Sequence, residues 1–188
     1  LFAAEMEKHF PYLPIEEEGR LTNLIIREHF FTKLYAIFNF KKMAQNKSIK
    51  KLADYHAKNK YLYFAYNQTL KNKLGLIVAN HEKLETNIVL DNYFNEMVKL
   101  FLNLPSKKNY INAYQHIFGY FSNFASREEK VFILQLIEKY RNGKIDKSAI
   151  ASILKGYSIK YNIEYLLGQT IFEPFPEELL SLNDSGKL

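Results

Sequence analysis

Polar side chains recur at helical spacing in the stretch that follows Lys107, and their chemistry points to molecular recognition. At about 100° per residue they fall within roughly 80° of one another on one helix face. This polar stripe consists of Asn109, Asn112, His116, Tyr120 and Asn123. A face that only meets solvent is usually rich in Lys and Glu, whereas amides, an imidazole and a phenol form hydrogen bonds and stack. The spacing therefore predicts a recognition surface.

An apolar stripe on the opposite face of this predicted helix indicates how it packs. Its members are Ile111, Tyr114, Phe118 and Phe121. Ser126 and Glu129 have the spacing of a capping box, in which each side chain binds a backbone N–H at the start of a helix. The helix that they begin is predicted to end at Gly143. We expect a helical hairpin in which one face carries the polar stripe.

A similar polar stripe is predicted on an earlier helix, which runs from Ser48 to about Asn67. The members of this stripe are His56, Asn59, Lys60, Tyr63 and Asn67. The core side of the same helix is predicted to be Leu52, Tyr55, Leu62 and Tyr66. Two helices are thus expected to present His, Asn and Tyr side chains on one face.

The net charge of +6 is concentrated in the middle of the chain. Residues 41–110 contain 13 Lys and 5 acidic side chains, a net charge of +8. Residues 1–40 carry −2 and residues 111–188 carry 0. A localised positive charge favours an anionic partner, and lysines that neutralise phosphates dominate nucleic-acid affinity. The alternative is that these lysines are only a solvated surface.

Charge and aromatic stripes together predict RNA binding, because Lys neutralises phosphates while Tyr and His stack on bases. The predicted RNA-binding residues are His56, Lys58, Lys60, Lys107, Lys108, Asn109, Asn112, His116, Tyr120 and Arg141. For His116, three roles stay open: a hydrogen-bond partner in helix packing, a nucleic-acid contact, or a general acid or base. The same alternatives apply to His56.

Several classes of chemistry are not supported by the sequence. The chain has no Cys, so it supplies no disulfide, thiolate ligand or Cys nucleophile. It has no phosphate-binding loop, dinucleotide glycine motif or Ser nucleophile elbow. The five His residues show no metal-ligand spacing, and the carboxylates of Glu16, Glu17 and Glu18 are expected to be solvated or to cap a helix. We predict no catalytic residue, metal or cofactor in this chain.

Hydrophobic periodicity predicts an all-α fold, a single compact bundle of six to eight helices, since no useful alternating run appears. Residues 1–19 are expected to be a lead-in, residues 20–180 a helical domain, and residues 181–188 a flexible tail. The other predicted helices span about 20–43, 68–79, 82–104, 146–161 and 162–172. No run is long enough to span a membrane, and no signal peptide is visible, so a cytoplasmic location is expected.

The same residues resemble a known family, the YbgA-like family of domains of unknown function (DUF1722), over about residues 48–180. The central family block, N-H-V-N-V-L-x-H-x-Q-G-Y-F, is similar to the segment from Asn109 to Phe121, with Tyr110 in place of His and Phe118 in place of Gln. Further matches are His56, Lys60, Gly75, Tyr140, Arg141, Gly143, Lys155, Gln169, Pro174 and Pro176.

The resemblance implies a role in transfer RNA modification. Some members of this family are fused behind a Cys-rich iron–sulfur domain and look like enzymes that remove sulfur from 4-thiouridine in tRNA. The opening of this chain is similar to the junction of those fusions, which implies that it is the C-terminal part of such a protein. The iron–sulfur cluster is then expected only in the upstream desulfidase domain, which is the partner in cis. This chain would be its tRNA-binding accessory domain.

Two other functions fit the sequence. A helical protein-interaction or structural module would have a contiguous exposed apolar patch and form an oligomer. An enzyme that uses His116 and His56 would need a pocket that holds both rings.

Overall fold

A computed structural model describes residues 2–10 and 12–179 of the chain, and within them the regular structure is entirely helical. The α-helices are α1 (Phe2–His9), α2 (Leu24–Ala44), α3 (Ile49–Tyr66), α4 (Gln68–Ala79), α5 (Thr86–Leu100), α6 (Lys107–Gly119), α7 (Arg127–Arg141), α8 (Lys147–Lys160) and α9 (Glu164–Leu167). Short 3₁₀ turns occupy Arg20–Thr22 and Glu177–Leu179. The prediction of an all-α fold is confirmed.

Local sequence signals set the starts of α7 and α8 as predicted. The Ser126 hydroxyl accepts from the Glu129 backbone N–H at 3.2 Å, and the Glu129 carboxylate accepts from the Ser126 N–H at 2.7 Å. This is the predicted capping box. At the start of α8, the Asp146 carboxylate accepts from the Ser148 N–H at 2.8 Å. Both caps satisfy backbone donors that have no partner inside the helix.

The end of α7 is also confirmed. Gly143 has φ of 69°, a left-handed conformation that costs glycine little. The following residue, Lys144, donates its backbone N–H to the Lys139 carbonyl at 2.8 Å. This Schellman arrangement closes the last turn of the helix.

The predicted last helix, from Asn162 to Phe172, is wrong in both start and length. Asn162 has φ of 54° and follows the end of α8, where the Ile163 N–H donates to the Ser158 carbonyl at 2.9 Å. Asn162 therefore terminates α8 instead of capping α9, since Asn tolerates this conformation. The helix α9 then makes a single turn.

The predicted helix from residue 82 to residue 104 is shorter than expected at both ends. Before α5, the Asn80 side chain bonds both the N–H and the carbonyl of Leu84, at 2.9 and 3.0 Å. Asn80 and Lys83 both have left-handed φ values, so this segment is a turn. At the other end, Pro105 disfavours helical geometry in the residue before it.

The helices form two compact units, each of which is described by itself. Of the described residues, the first unit contains 2–10, 12–56, 72–104 and 173–179, and the second contains 57–71 and 105–172. Because the boundaries fall after His56 and Lys71, both α3 and α4 contribute residues to each unit.

Aromatic rings form the centre of the first unit, where α2 contacts α5. The Phe40 ring stacks on Tyr93 and Phe94, with centroid distances of 5.6 and 5.3 Å. Tyr55 packs edge-on against Phe40 and donates its hydroxyl to the Ala36 carbonyl at 2.8 Å. The buried phenol is thus satisfied by the backbone of a neighbouring helix.

In the second unit, α6, α7 and α8 contact one another, and α8 also contacts α9. The Phe121 ring is fully buried and stacks on Tyr157 and Tyr161, with centroid distances of 5.7 and 5.9 Å. Other buried side chains of this core are Ile111, Tyr114, Ile117, Ile133, Ile137 and Leu154. The predicted helical hairpin is therefore present, with α8 packed on it.

The predicted boundaries at residues 19–20 and 180–181 stay predictions. Helix α1 lies within the predicted lead-in, and residues 181–188 lie outside the described part of the chain. Among the described helices, none combines the length and apolar character needed to cross a bilayer.

The carboxylate of Glu129 links the start of α7 to the end of α8, which makes stability depend on pH. Hydrogen bonds from Lys160 and Tyr161, together with the Ser126 N–H, lower the pKa of Glu129 from about 4.5 to about 2. A lowered folded-state pKa gives stability that is present above the unfolded pKa and is lost as pH falls towards 2. We expect the difference in unfolding free energy between wild type and Glu129→Gln to be constant above pH 5. It should shrink between pH 4.5 and pH 2.

Urea unfolding at a series of pH values measures this difference. Glu138→Gln is the matched control, because Glu138 is an exposed carboxylate of the same helix that pairs with Arg141 in an exposed ion pair. If the difference in unfolding free energy between wild type and Glu129→Gln stayed constant down to pH 2, it would contradict the lowered pKa of Glu129.

Candidate nucleic-acid interface

The second half of α3 is buried around its whole circumference. All six consecutive residues from Tyr61 to Tyr66 are at most 7% exposed. Tyr63, which the sequence placed on a polar stripe, is completely buried, and Asn59 is only 5% exposed. The stripe prediction is wrong for these two side chains, because a helix with neighbours on every side has no solvent face.

Helix α6 lies beside this part of α3. The Asn109 amide donates to the Tyr66 carbonyl at 3.0 Å, at the C-terminal end of α3. The ring of His116 packs on Phe64 at a centroid distance of 5.1 Å. The amide of Asn109 therefore has a clear part in helix packing, whereas the His116 side chain remains exposed.

The segment around α9 is fixed to α3 by Gln169, which is 3% exposed. Its Nε2 donates to the Ala57 carbonyl at 2.8 Å. The backbone N–H of Thr170 donates to the Lys58 carbonyl at 3.0 Å, and the Thr170 hydroxyl donates to Asn59 Oδ1 at 2.8 Å. Together these bonds hold the segment that follows α9 against the middle of α3.

This attachment brings three tyrosines together. The Tyr61 hydroxyl donates to the Tyr120 hydroxyl at 3.1 Å, and the two rings meet edge to face. The Tyr165 ring stacks on Tyr120 with a centroid distance of 5.7 Å and an interplanar angle of 25°. Tyr61 is buried, whereas Tyr120 and Tyr165 are 39% and 38% exposed. The cluster thus has one anchored ring and two exposed rings.

The phenols of this cluster are held in their neutral form. Burial raises the pKa of Tyr61, and the hydrogen bond with Tyr120 raises it further. Burial also raises the pKa of Tyr165, to which the proximity of Tyr120 adds. Neutral rings do not repel a phosphate, so the cluster is compatible with an anionic ligand.

Two lysines border the cluster and lie over aromatic rings. Lys60 Nζ is 5.5 Å from the centroid of the Tyr61 ring, and Lys71 Nζ is 5.6 Å from that of Phe64. Burial lowers the pKa of Lys71, and repulsion from Lys60 lowers it further. Each of the two ammonium groups thus lies over an aromatic ring of α3.

These side chains form two groups that meet at neighbouring positions of α3, where Tyr61 and Phe64 are buried, and we call them together the aromatic–lysine face. It consists of Lys60, Tyr61, Phe64, Lys71, His116, Tyr120 and Tyr165. Its ammonium groups can neutralise phosphates, and its exposed rings can stack on a planar group. Three of the ten predicted RNA-binding residues lie on it: Lys60, His116 and Tyr120.

A second cluster forms where α6 starts and α7 ends. Lys107 Nζ lies 5.6 Å from the centroid of the Tyr140 ring. Next to it, Arg141 donates to Glu138 at 3.1 Å in an exposed ion pair. Lys147 Nζ is 5.2 Å from the Tyr110 ring, which adds another cation. Two of the predicted residues, Lys107 and Arg141, thus lie at neighbouring helix ends.

The remaining predicted residues are placed separately. Lys58 and Lys108 are exposed, and Asn112 is half-buried. His56 belongs to the first unit, where its Nδ1 is 3.0 Å from the Tyr93 hydroxyl. Their contacts with RNA stay predictions.

Four residues of the aromatic–lysine face were not among the residues singled out from the sequence: Tyr61, Phe64, Lys71 and Tyr165. Tyr61 is adjacent to Lys60, but adjacent residues point in different directions on a helix, so the stripe did not include it. Tyr165 lies on another helix far along the chain, and no spacing rule connects it to Tyr120. Only the tertiary structure brings these rings together.

Within the described ranges, no group of three or more His, Cys, Asp or Glu side chains could hold a metal ion. The candidate surface consists of hydrogen-bonding, aromatic and ammonium groups.

Comparison with known proteins places this surface inside a family match. A family model described as a protein of unknown function (DUF1722) matches residues 60–176, a range that includes the whole aromatic–lysine face. The uncharacterized protein YbgA of Escherichia coli (strain K12) is 30% identical to this chain over 141 residues, which cover 73% of this chain and 81% of that protein. No solved structure matches the chain.

Removing the Gln169 side chain should destabilise the second unit. Gln169→Ala loses the buried bond to the Ala57 carbonyl, and a lost buried hydrogen bond costs about 1–3 kcal/mol. Urea unfolding measures the loss, and Gln135→Ala is the matched control, since Gln135 is an exposed glutamine on α7. Equal stabilities of the two variants would show that the attachment of α9 does not depend on Gln169.

Proposed function

The chain belongs to the YbgA-like DUF1722 family, and we propose that it is an RNA-binding module with transfer RNA as its substrate. The observation that carries this proposal is the aromatic–lysine face. There, Lys60 and Lys71 lie over aromatic rings beside the exposed rings of Tyr120 and Tyr165. Phosphate neutralisation beside stacking surfaces is the combination that RNA-binding surfaces use.

The geometry of the face favours binding over catalysis. His116 is exposed, and its ring packs on Phe64, so it is placed to contact a ligand at the surface. The phenols of Tyr61 and Tyr165 stay protonated near neutral pH, because their pKa values are raised, so neither offers a phenolate that could act as a base. These groups recognise and orient a ligand.

The resemblance to fused tRNA desulfidases supplies the wider role in this proposal. An iron–sulfur domain encoded upstream would remove sulfur from 4-thiouridine, while the present domain would hold the tRNA. This chain has no Cys, so the thiolate ligands of such a cluster would come from the upstream domain. The protein is proposed to act in the cytoplasm, where tRNA is modified.

Charge removal on the face should weaken tRNA binding and its dependence on salt. Each lysine that contacts a phosphate adds about one unit to the slope of log affinity against log salt concentration. We expect Lys60→Gln with Lys71→Gln to reduce that slope by about 2. Filter binding of purified protein to tRNA between 50 and 300 mM KCl measures it.

Lys139→Gln is the matched control for these substitutions, since Lys139 is an exposed lysine on α7 of the same unit. It should leave the slope unchanged. If wild type and the double variant gave the same slope, Lys60 and Lys71 would not contact phosphates. Absence of tRNA binding at 50 mM KCl would refute the proposed function itself.

A second candidate function, a helical protein-interaction module, is favoured by the outer face of α7. Val131, Phe132 and Leu134 are 46%, 43% and 46% exposed. Val131 lines one shallow depression with Phe132 and a neighbouring one with Leu134. The apolar surface is therefore contiguous, and such patches often mark protein contacts.

This second function predicts self-association through α7. Light scattering over a concentration series should then show an oligomer, and Leu134→Glu should convert it to a monomer, because a charge cannot be buried unpaired in an apolar contact. A monomer at every concentration would argue against this function. Lys139→Glu, an exposed position on the same helix, controls for the added negative charge.

A further inference from the structure

The exposed tyrosines of the aromatic–lysine face form a fixed platform. Tyr120 and Tyr165 stack on each other, and the Tyr120 hydroxyl accepts from the buried Tyr61 hydroxyl. The Tyr165 hydroxyl points to the Ala57 carbonyl, 3.4 Å away. Because these contacts hold the two rings in place, little conformational entropy remains to be lost when a ligand binds to them.

A ring can stack only on a base whose face is accessible. In a duplex, each base face is covered by its neighbours, and a protein meets the base edges, the sugars and the phosphates. Unpaired bases in loops, bulges and ends can be splayed out and stacked on aromatic side chains. The exposed rings of this face can therefore stack on unpaired nucleotides, but not on the bases inside a nucleic-acid duplex.

The lysines are placed to hold the strand on which such a base lies. Lys60 lies over the ring of Tyr61, which bonds Tyr120, and Lys71 lies over the ring of Phe64, three residues further along the same helix. A flexible single strand can bring successive phosphates to two adjacent ammonium groups while its base turns towards the rings.

The polar groups of the platform are largely engaged within the protein. The Tyr61 hydroxyl donates to Tyr120, and the Tyr165 hydroxyl lies near a helix carbonyl. With those hydroxyls occupied, the rings offer their faces more than their polar edges to a ligand. Recognition by stacking tolerates any base, so a weak sequence preference is expected.

We infer that the aromatic–lysine face binds an unpaired nucleotide, with its base stacked on the exposed face of Tyr165, which Tyr120 backs, and its flanking phosphates on Lys60 and Lys71. This inference rests on the proposed RNA-binding function and specifies which part of an RNA the face takes. It distinguishes single-stranded segments from the helical stems of the same RNA.

The test compares a 12-nucleotide unstructured RNA with a 12-base-pair RNA duplex by fluorescence anisotropy at 100 mM KCl. Because each stacked base depends on its aromatic side chain for part of its affinity, Tyr165→Leu should weaken single-strand binding about 5- to 150-fold. Tyr165→Phe keeps the ring and should stay within about twofold of wild type. Neither substitution should change duplex binding.

A spectroscopic signal reports stacking directly. A 2-aminopurine base in the single strand should lose fluorescence on binding to wild type and to Tyr165→Phe, but much less on binding to Tyr165→Leu. The chain has no Trp, so protein emission does not obscure that signal. Phe124→Leu is the matched control, because Phe124 is a 66% exposed aromatic of the same unit that is not part of the face.

The outcomes separate the inference from the proposed function. Equal affinity for both RNAs, with Tyr165→Leu behaving like wild type, would overturn the stacking inference and leave RNA binding intact. If neither the two test RNAs nor tRNA bound at low salt, the stacking inference and the proposed RNA-binding function would both be overturned. Thermal unfolding of each variant confirms that a lost signal does not come from a lost fold.

Discussion

The bond from the Gln169 amide to the Ala57 carbonyl is the constraint on which the candidate site depends. Ala57 lies inside a helix, and its carbonyl oxygen has a second lone pair that a side-chain donor can use. The backbone N–H of Thr170 likewise donates to a carbonyl inside α3, that of Lys58. If α9 slid along α3, the buried amide would lose its partner, which is costly. A directional polar contact therefore fixes the position of Tyr165 beside Tyr120 more sharply than apolar packing would.

What the sequence could predict was set by rules that act within a few residues. The capping box at Ser126, the stop at Gly143 and the all-α class follow from local hydrogen bonding and helical periodicity. Periodicity also placed His116 and Tyr120 on one face of α6, and both are exposed. These predictions succeeded because each depended on one helix alone.

The failures came from contacts between segments that are distant in sequence. Tyr63 fits a polar stripe by spacing, but neighbours around the helix bury it completely. Asn162 is a good N-cap by residue type, but it adopts the left-handed conformation that ends α8 instead of starting α9. Nor does any local rule pair Tyr165 with Tyr120, since that pair depends on where Gln169 docks. Packing around α3 decides the burial of Tyr63 and the place of Tyr165, whereas the local turn after α8 decides the conformation of Asn162.

The chemistry of the face divides between a long-range and a short-range interaction. Attraction between lysines and phosphates reaches across solvent but is screened over about 8 Å at physiological salt. Stacking acts only at contact, and mobile ions do not compete for a ring face as they do for an ammonium group. Lys60 and Lys71 would therefore govern how strongly any RNA is drawn to the surface. In the proposed function, Tyr120 and Tyr165 would determine which part of that RNA stays bound, and the surface would combine general attraction with selectivity.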